Sequence, residues 1–189
     1  MAGTCIRPPF INFDIKKYDS WDTKPHCIFE VGDVRKLPYP DNYFWVIFNS
    51  ELMEHLTYSD GVEVLKEFYR TLKPGGVAKI CCPDFEFVVK LYTGQLKYKD
   101  YDQRKGLLAV KNGNIEGVMG PIWSVLYGAN TPLGDGRWYT EHKTVWDNES
   151  LTYYLGYVGF KEIERVNDKL PWSYPVCNER DLCVEAWKP

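Results

Sequence analysis

The chain has 189 residues, 44% of them hydrophobic and 26% charged, the make-up of one soluble globular domain that can bury its own core. A net charge of −3, from 23 basic and 26 acidic residues with no basic block, excludes the electrostatic footprint of a nucleic-acid binder. No apolar run approaches membrane length and the first residues lack the apolar core of a secretion signal, so the expectation is a cytoplasmic protein with no membrane partner.

In chain order, residues 10–15 (FINFDI) form a short apolar run ending near an acid and predict a buried strand. Residues 27–31 predict a second strand, closed by Gly32 and Asp33, and Pro38, Pro40, Asp41 and Asn42 mark the turn that follows. Residues 45–48 (WVIF) are continuously apolar, as in a strand buried on both faces of a parallel sheet. Asp60 is the expected cap of a helix carrying Leu65, Phe68, Tyr69 and Leu72 on one face, which Lys73-Pro74-Gly75-Gly76 stops. Residues 77–82 predict the next strand, and Asp84 the cap of a helix that ends at Gly94.

The pattern loosens over about 95–144, with one predicted helix at 101–111 and a run of glycines among aromatics. This stretch reads as an insertion within a single domain spanning 1–189. Its aromatic set, with neighbouring Tyr92, comprises Tyr98, Tyr101, Trp123, Tyr127, Trp138 and Tyr139. Those rings suit either the lining of a small-molecule pocket or a cover over a sheet edge. Regularity returns with a helix at 149–157 ended by Gly159, a strand at 160–166 and a last strand at 182–187. Alternating strands and helices of this kind predict an α/β sheet with parallel neighbours.

Six cysteines, at 5, 27, 81, 82, 177 and 183, contain no C-x-x-C pair and predict buried free thiols in a reducing compartment. The three histidines, His26, His55 and His142, lie far apart in the sequence, so no metal centre is expected.

The stretches GDVRKLPYPDNYFWVIFNSELMEHL and EFYRTLKPGGVAKICCPD, with GYVGFKEIERV and LCVEAWKP near the end, resemble class I S-adenosylmethionine-dependent methyltransferases of the type 11-like group. The resemblance implies a Rossmann-like sheet, mostly parallel with an antiparallel last strand. It also implies that Asp14 takes the cofactor ribose, Asp33 the adenine amino group, and the Val34 backbone N–H an adenine ring nitrogen. Asn49, Ser50 and Glu51 would lie under the methionine and its methyl group. His55, in a Glu-His pair typical of the family, and His142 would be proton acceptors facing the substrate. Read as residues alone, Asp14 equally suits a turn cap and His55 a packed helix residue.

Only nine residues, MAGTCIRPP, precede the predicted first strand, so no counterpart of the family's opening strand and glycine-rich turn is expected. The expectation is a sheet lacking the family's first strand and its helix. Its gap would be closed by direct pairing of the strands at 10–15 and 45–48, by a second copy forming a homodimer, or by a partner protein that completes the sheet. The implied function is methyl transfer from S-adenosylmethionine to an oxygen or nitrogen of a small molecule. The alternative is a degenerate methyltransferase fold acting as a non-catalytic binding or regulatory subunit.

Overall fold

The computed structural model describes residues 11–15, 28–96, 126, 142–166 and 181–189. The helix expected at 101–111, the pocket aromatics other than Tyr92, His26, Cys5, Cys27 and Cys177 lie outside the described residues.

Strands β1 (Ile11–Asp14) and β2 (Ile28–Val31) pair in parallel, Asp14 opposite Val31. β3 (Phe44–Ser50), β4 (Leu72–Pro83), β5 (Lys161–Arg165) and β6 (Asp181–Trp187) form a second sheet in the order β3-β4-β6-β5. The β3–β4 pair is parallel, whereas β6 runs antiparallel to both β4 and β5. The mostly parallel pattern with an antiparallel last strand is thus present.

Two expectations about strands need correction. Among the described residues no ladder joins β1 to β3, so the direct closure anticipated from the sequence does not occur; β1 spends its hydrogen bonds on β2 and β3 on β4. Neither is β3 buried on both faces. Among the described residues it is the edge of its sheet, Trp45 is 60% exposed, and the indole instead lies under the Lys73 ammonium at 4.7 Å. Similarly, β1 is half-buried, with only Asn12 fully enclosed.

Helix α1 (Tyr58–Thr71) follows a short 3₁₀ turn, Met53–His55. Its N-cap is Thr57, whose Oγ1 accepts the Asp60 backbone N–H at 3.1 Å; Asp60 stands three residues in and accepts the Thr57 hydroxyl at 2.8 Å. A hydroxyl at the cap suits the extended backbone there, and the acid in the first turn suits the helix dipole. Val64, Leu65 and Phe68 recur at helical spacing and are buried. The helix stops at Thr71 because Lys73 precedes Pro74, which disfavours helical backbone, and the chain runs straight into β4 with a register shift opposite β3.

β4 is an inner strand, flanked by β3 and β6, with Ala78, Ile80, Cys81 and Cys82 fully buried. Helix α2 (Phe85–Tyr92) begins where Asp84 Oδ1 accepts the Glu86 N–H at 2.9 Å. Helix α3 (Asn148–Val158) opens with a reciprocal capping box between Asp147 and Ser150. Its Leu151 and Leu155 join Val64, Leu65, Phe68, Leu72, Ile80 and Trp146 in one core. The small sheet reaches that core through Phe13, whose ring meets Tyr39 edge-on at 6.4 Å.

Cys81 and Cys82 are buried thiols outside any disulfide, as expected. Cys183, by contrast, is disulfide-bonded, which departs from the expectation of reduced cysteines throughout; its partner lies outside the described residues. No helix among the described residues is long and apolar enough to cross a membrane.

Candidate active site

The candidate residues collect at the carboxyl ends of β1, β2 and β3. Asp14 ends β1; its carboxylate Oδ1 accepts the Ile15 N–H at 2.7 Å, and its carbonyl accepts the Gly32 N–H at 2.9 Å. Asp33 follows β2, and its carboxylate is gripped by Arg35, with Nη2 2.7 Å from Oδ2 and Nε 3.0 Å from both oxygens. Arg35 also reaches Asp60 at 2.8 Å, tying the β2 turn to the start of α1. The Arg35 guanidinium holds the Asp33 carboxyl below its ordinary value. Val34 packs its side chain against the core, which leaves its backbone at the strand end.

β3 contributes Asn49 and Ser50, opposite Ile80 and Cys81 of β4. Asn49 is buried, and neither its Oδ1 nor the Ser50 Oγ has a hydrogen-bond partner among the described residues. Buried polar atoms in that state are costly unless something else meets them. Glu51 takes a positive φ of 53° while its N–H bonds the Cys81 carbonyl at 3.0 Å, so the chain turns sharply off the sheet at this point.

The turn leads directly into Met53–His55. Glu54 is 1% exposed, and neither carboxylate oxygen has a hydrogen bond among the described residues. Burial, then the Glu51 carboxylate, push its carboxyl well above the ordinary value, with Asp181 adding to the effect. His55 Nε2 lies 3.7 Å from Glu54 Oε1.

His142 joins them from a distant part of the chain. The Glu54 carbonyl accepts two backbone N–H groups, from Lys143 at 2.7 Å and Thr144 at 3.2 Å. The buried Thr144 hydroxyl meets the carbonyls of Met53 and Leu56 at 3.2 and 3.1 Å. This clasp brings the His142 ring edge-to-face with His55, centroids 5.0 Å apart. A ring nitrogen of each histidine and a Glu54 oxygen all lie within 4.8 Å of one another. The premise that the histidines are scattered therefore fails for His55 and His142, which the fold brings together.

Burial pushes the Cys81 thiol up to about 12 and the Cys82 thiol up as well, so neither supplies a thiolate to this region.

Comparison with known proteins gives this arrangement a context. Residues 2–80 match the family model described as a methyltransferase domain. A ubiquinone/menaquinone biosynthesis C-methyltransferase of Neisseria gonorrhoeae is 48% identical over 46 residues, 24% of this chain and 18% of that protein. An uncharacterized methyltransferase of Schizosaccharomyces pombe is 36% identical over 63 residues, 33% of this chain and 21% of that protein. A crystal structure of a SAM-dependent methyltransferase from Archaeoglobus fulgidus superimposes over 94% of this chain and 75% of its own, with a TM-score of 0.54 at 16% identity. The fold is that of Rossmann-like SAM-dependent methyltransferases, and residues 2–80 match the methyltransferase-domain model.

The matched segments span only about a fifth of the curated relatives' lengths, 21% and 18%. Within the methyltransferase frame, Asp14, Asp33 and the turn 49–51 all stand at strand carboxyl ends, where such folds place a nucleotide-like ligand. Two residues escaped the sequence reading. Glu54 was visible only as half of a Glu-His pair, with no signal of its burial. Asp181, 7% exposed and opposite Pro83, starts β6 and acts on Glu54 through space, which no local pattern reveals.

Proposed function

We propose that this protein transfers a methyl group from S-adenosylmethionine to an oxygen or nitrogen of a small molecule. The observation that carries the reading is the pair of buried polar atoms, Asn49 Oδ1 and Ser50 Oγ, that end β3 without a hydrogen-bond partner among the described residues. A ligand rich in donors, such as the amino acid end of the cofactor, fits orphaned acceptors there. Asp14 takes the ribose hydroxyls, and the Val34 N–H and Asp33 take the adenine, with Asp33 exchanging part of its Arg35 contact for the ring amino group.

Bound cofactor supplies an electrophilic methyl on a sulfonium. The chain's own part would be to hold the nucleophile toward that methyl and to take the proton it sheds on an imidazole nitrogen of His55 or His142. The fold itself gives alignment, and the two histidines give the proton acceptor.

One observation favours the non-catalytic alternative. Both Asp33 oxygens are already satisfied by Arg35, as in a self-contained turn. Calorimetric titration of the full chain with S-adenosylmethionine and S-adenosylhomocysteine separates the two. The catalytic reading expects micromolar binding that weakens at least ~10-fold in Asp14→Ala, the order of a lost charge-assisted hydrogen bond. A folded chain that ignores millimolar ligand overturns it.

A further inference from the structure

We propose that Glu54, His55 and His142 form a binding site for a divalent transition metal ion of the Zn(II) or Fe(II) type. The three side chains offer two imidazole nitrogens and one carboxylate oxygen, all within 4.8 Å of one another. Two imidazoles with one carboxylate form the donor set that suits such ions and leaves at least one coordination position open.

The distances are close to what an ion needs. Metal–ligand bonds of roughly 2.0–2.1 Å at tetrahedral angles place donor atoms about 3.3 Å apart. The Glu54–His55 pair stands at 3.7 Å, so small side-chain rotations close the set. Its main chain is already held. Lys143 and Thr144 donate into the Glu54 carbonyl, and the Thr144 hydroxyl bonds the turn on both sides of Glu54–His55. Ligands on a clasped backbone lose little freedom when an ion binds.

Glu54 is the second, independent observation. A carboxylate 1% exposed, with no hydrogen bond to either oxygen among the described residues, has given up water without replacement. Glu51 and Asp181 both repel it, and its own backbone N–H offsets that repulsion only in part. A cation between Glu54 and the two imidazoles removes that penalty. The same imidazole lone pairs cannot hold an ion and accept a proton, so His55 and His142 would be ligands in the ion-bound site and proton acceptors only in the ion-free one.

The test needs no substrate or cofactor. The full chain, stripped with chelator and dialysed, is titrated with Zn(II) alone by calorimetry and with Co(II) by visible absorption. One equivalent bound, with Co(II) d–d bands and no thiolate charge-transfer band, is the expected result for the unmodified protein. His142→Gln and Glu54→Gln, checked for native secondary structure by circular dichroism, should each weaken Zn(II) binding at least ~10-fold, the low end for disturbing a metal site. No uptake by the unmodified chain, a thiolate band, or unchanged affinity in a folded His142→Gln protein overturns the proposal. Because the readout is metal alone, its failure leaves the methyl-transfer reading untouched.

Discussion

Thr144 shows how much of the site rests on one hydroxyl. It is buried, and its Oγ1 lies within hydrogen-bond distance of two carbonyls of the turn that carries His55. Thr144→Val keeps the shape and removes the donor; the Met53 carbonyl keeps the Leu56 N–H at 3.2 Å, while the Leu56 carbonyl loses the hydroxyl. The expected cost is about 1–2 kcal/mol, read as a fall in urea midpoint at unchanged slope. Because the clasp positions His142, any metal or methyl-transfer signal should weaken along with it. An unchanged midpoint would mean that the two backbone bonds from residues 143 and 144 suffice alone. At the same scale, Asp33 illustrates a limit of sequence reading. An acid after a strand was legible as a cofactor contact, but its Arg35 partner, two residues on, was not legible as a competitor.

At the level of elements, caps and turns carry charge that makes stability depend on pH. Ser150 hydrogen bonds hold the Asp147 carboxyl below its ordinary value at the start of α3. Arg70 does the same for Glu67, aided by the Leu37 N–H, and so ties α1 to the turn before β3. A carboxyl whose value is lower in the folded than the unfolded chain contributes stability that is fully present above its unfolded value. That contribution is lost as pH falls through the folded value. With unfolded values of about 3.9 for Asp and 4.3 for Glu, the urea midpoint should decline below about pH 4. Asp147→Ala and Glu67→Gln should each lower the midpoint at neutral pH and flatten that decline. An identical acid slope in both variants would show that other groups govern it. The elements themselves were largely legible, since the periodicity of α1 and the apolar run of β4 need no distant contact. Their caps were less so: Thr57 and Asp147 hold positions that a pattern of hydrophobic residues leaves one to three residues uncertain.

Across the whole molecule, Trp146 joins what the chain order separates. Its indole is fully buried, meets Tyr58 at 5.0 Å and Tyr154 at 5.8 Å, and touches the space that a side chain at Gly61 would fill. Its backbone bridges Asp84 at the end of β4 and accepts the Phe85 N–H at 2.8 Å. Trp146→Ala opens a large cavity between α1, α3 and the sheet, with an expected cost of about 3–5 kcal/mol in chemical denaturation. A loss below ~1 kcal/mol would mean that the helices collapse over the gap.

What the sequence determined by itself was the α/β pattern, the antiparallel end of the sheet and the family likeness. These rest on periodicity, turn residues and contiguous motifs, all local in the chain. Tertiary structure alone decided that β1 pairs with β2 and leaves β3 an edge, that Asp33 is held by Arg35, and that His142 meets His55 over a buried Glu54. Each of those depends on which groups lose water together and find partners across the fold. Only the packed chain settles that, because burial and long-range hydrogen bonds have no period in the sequence.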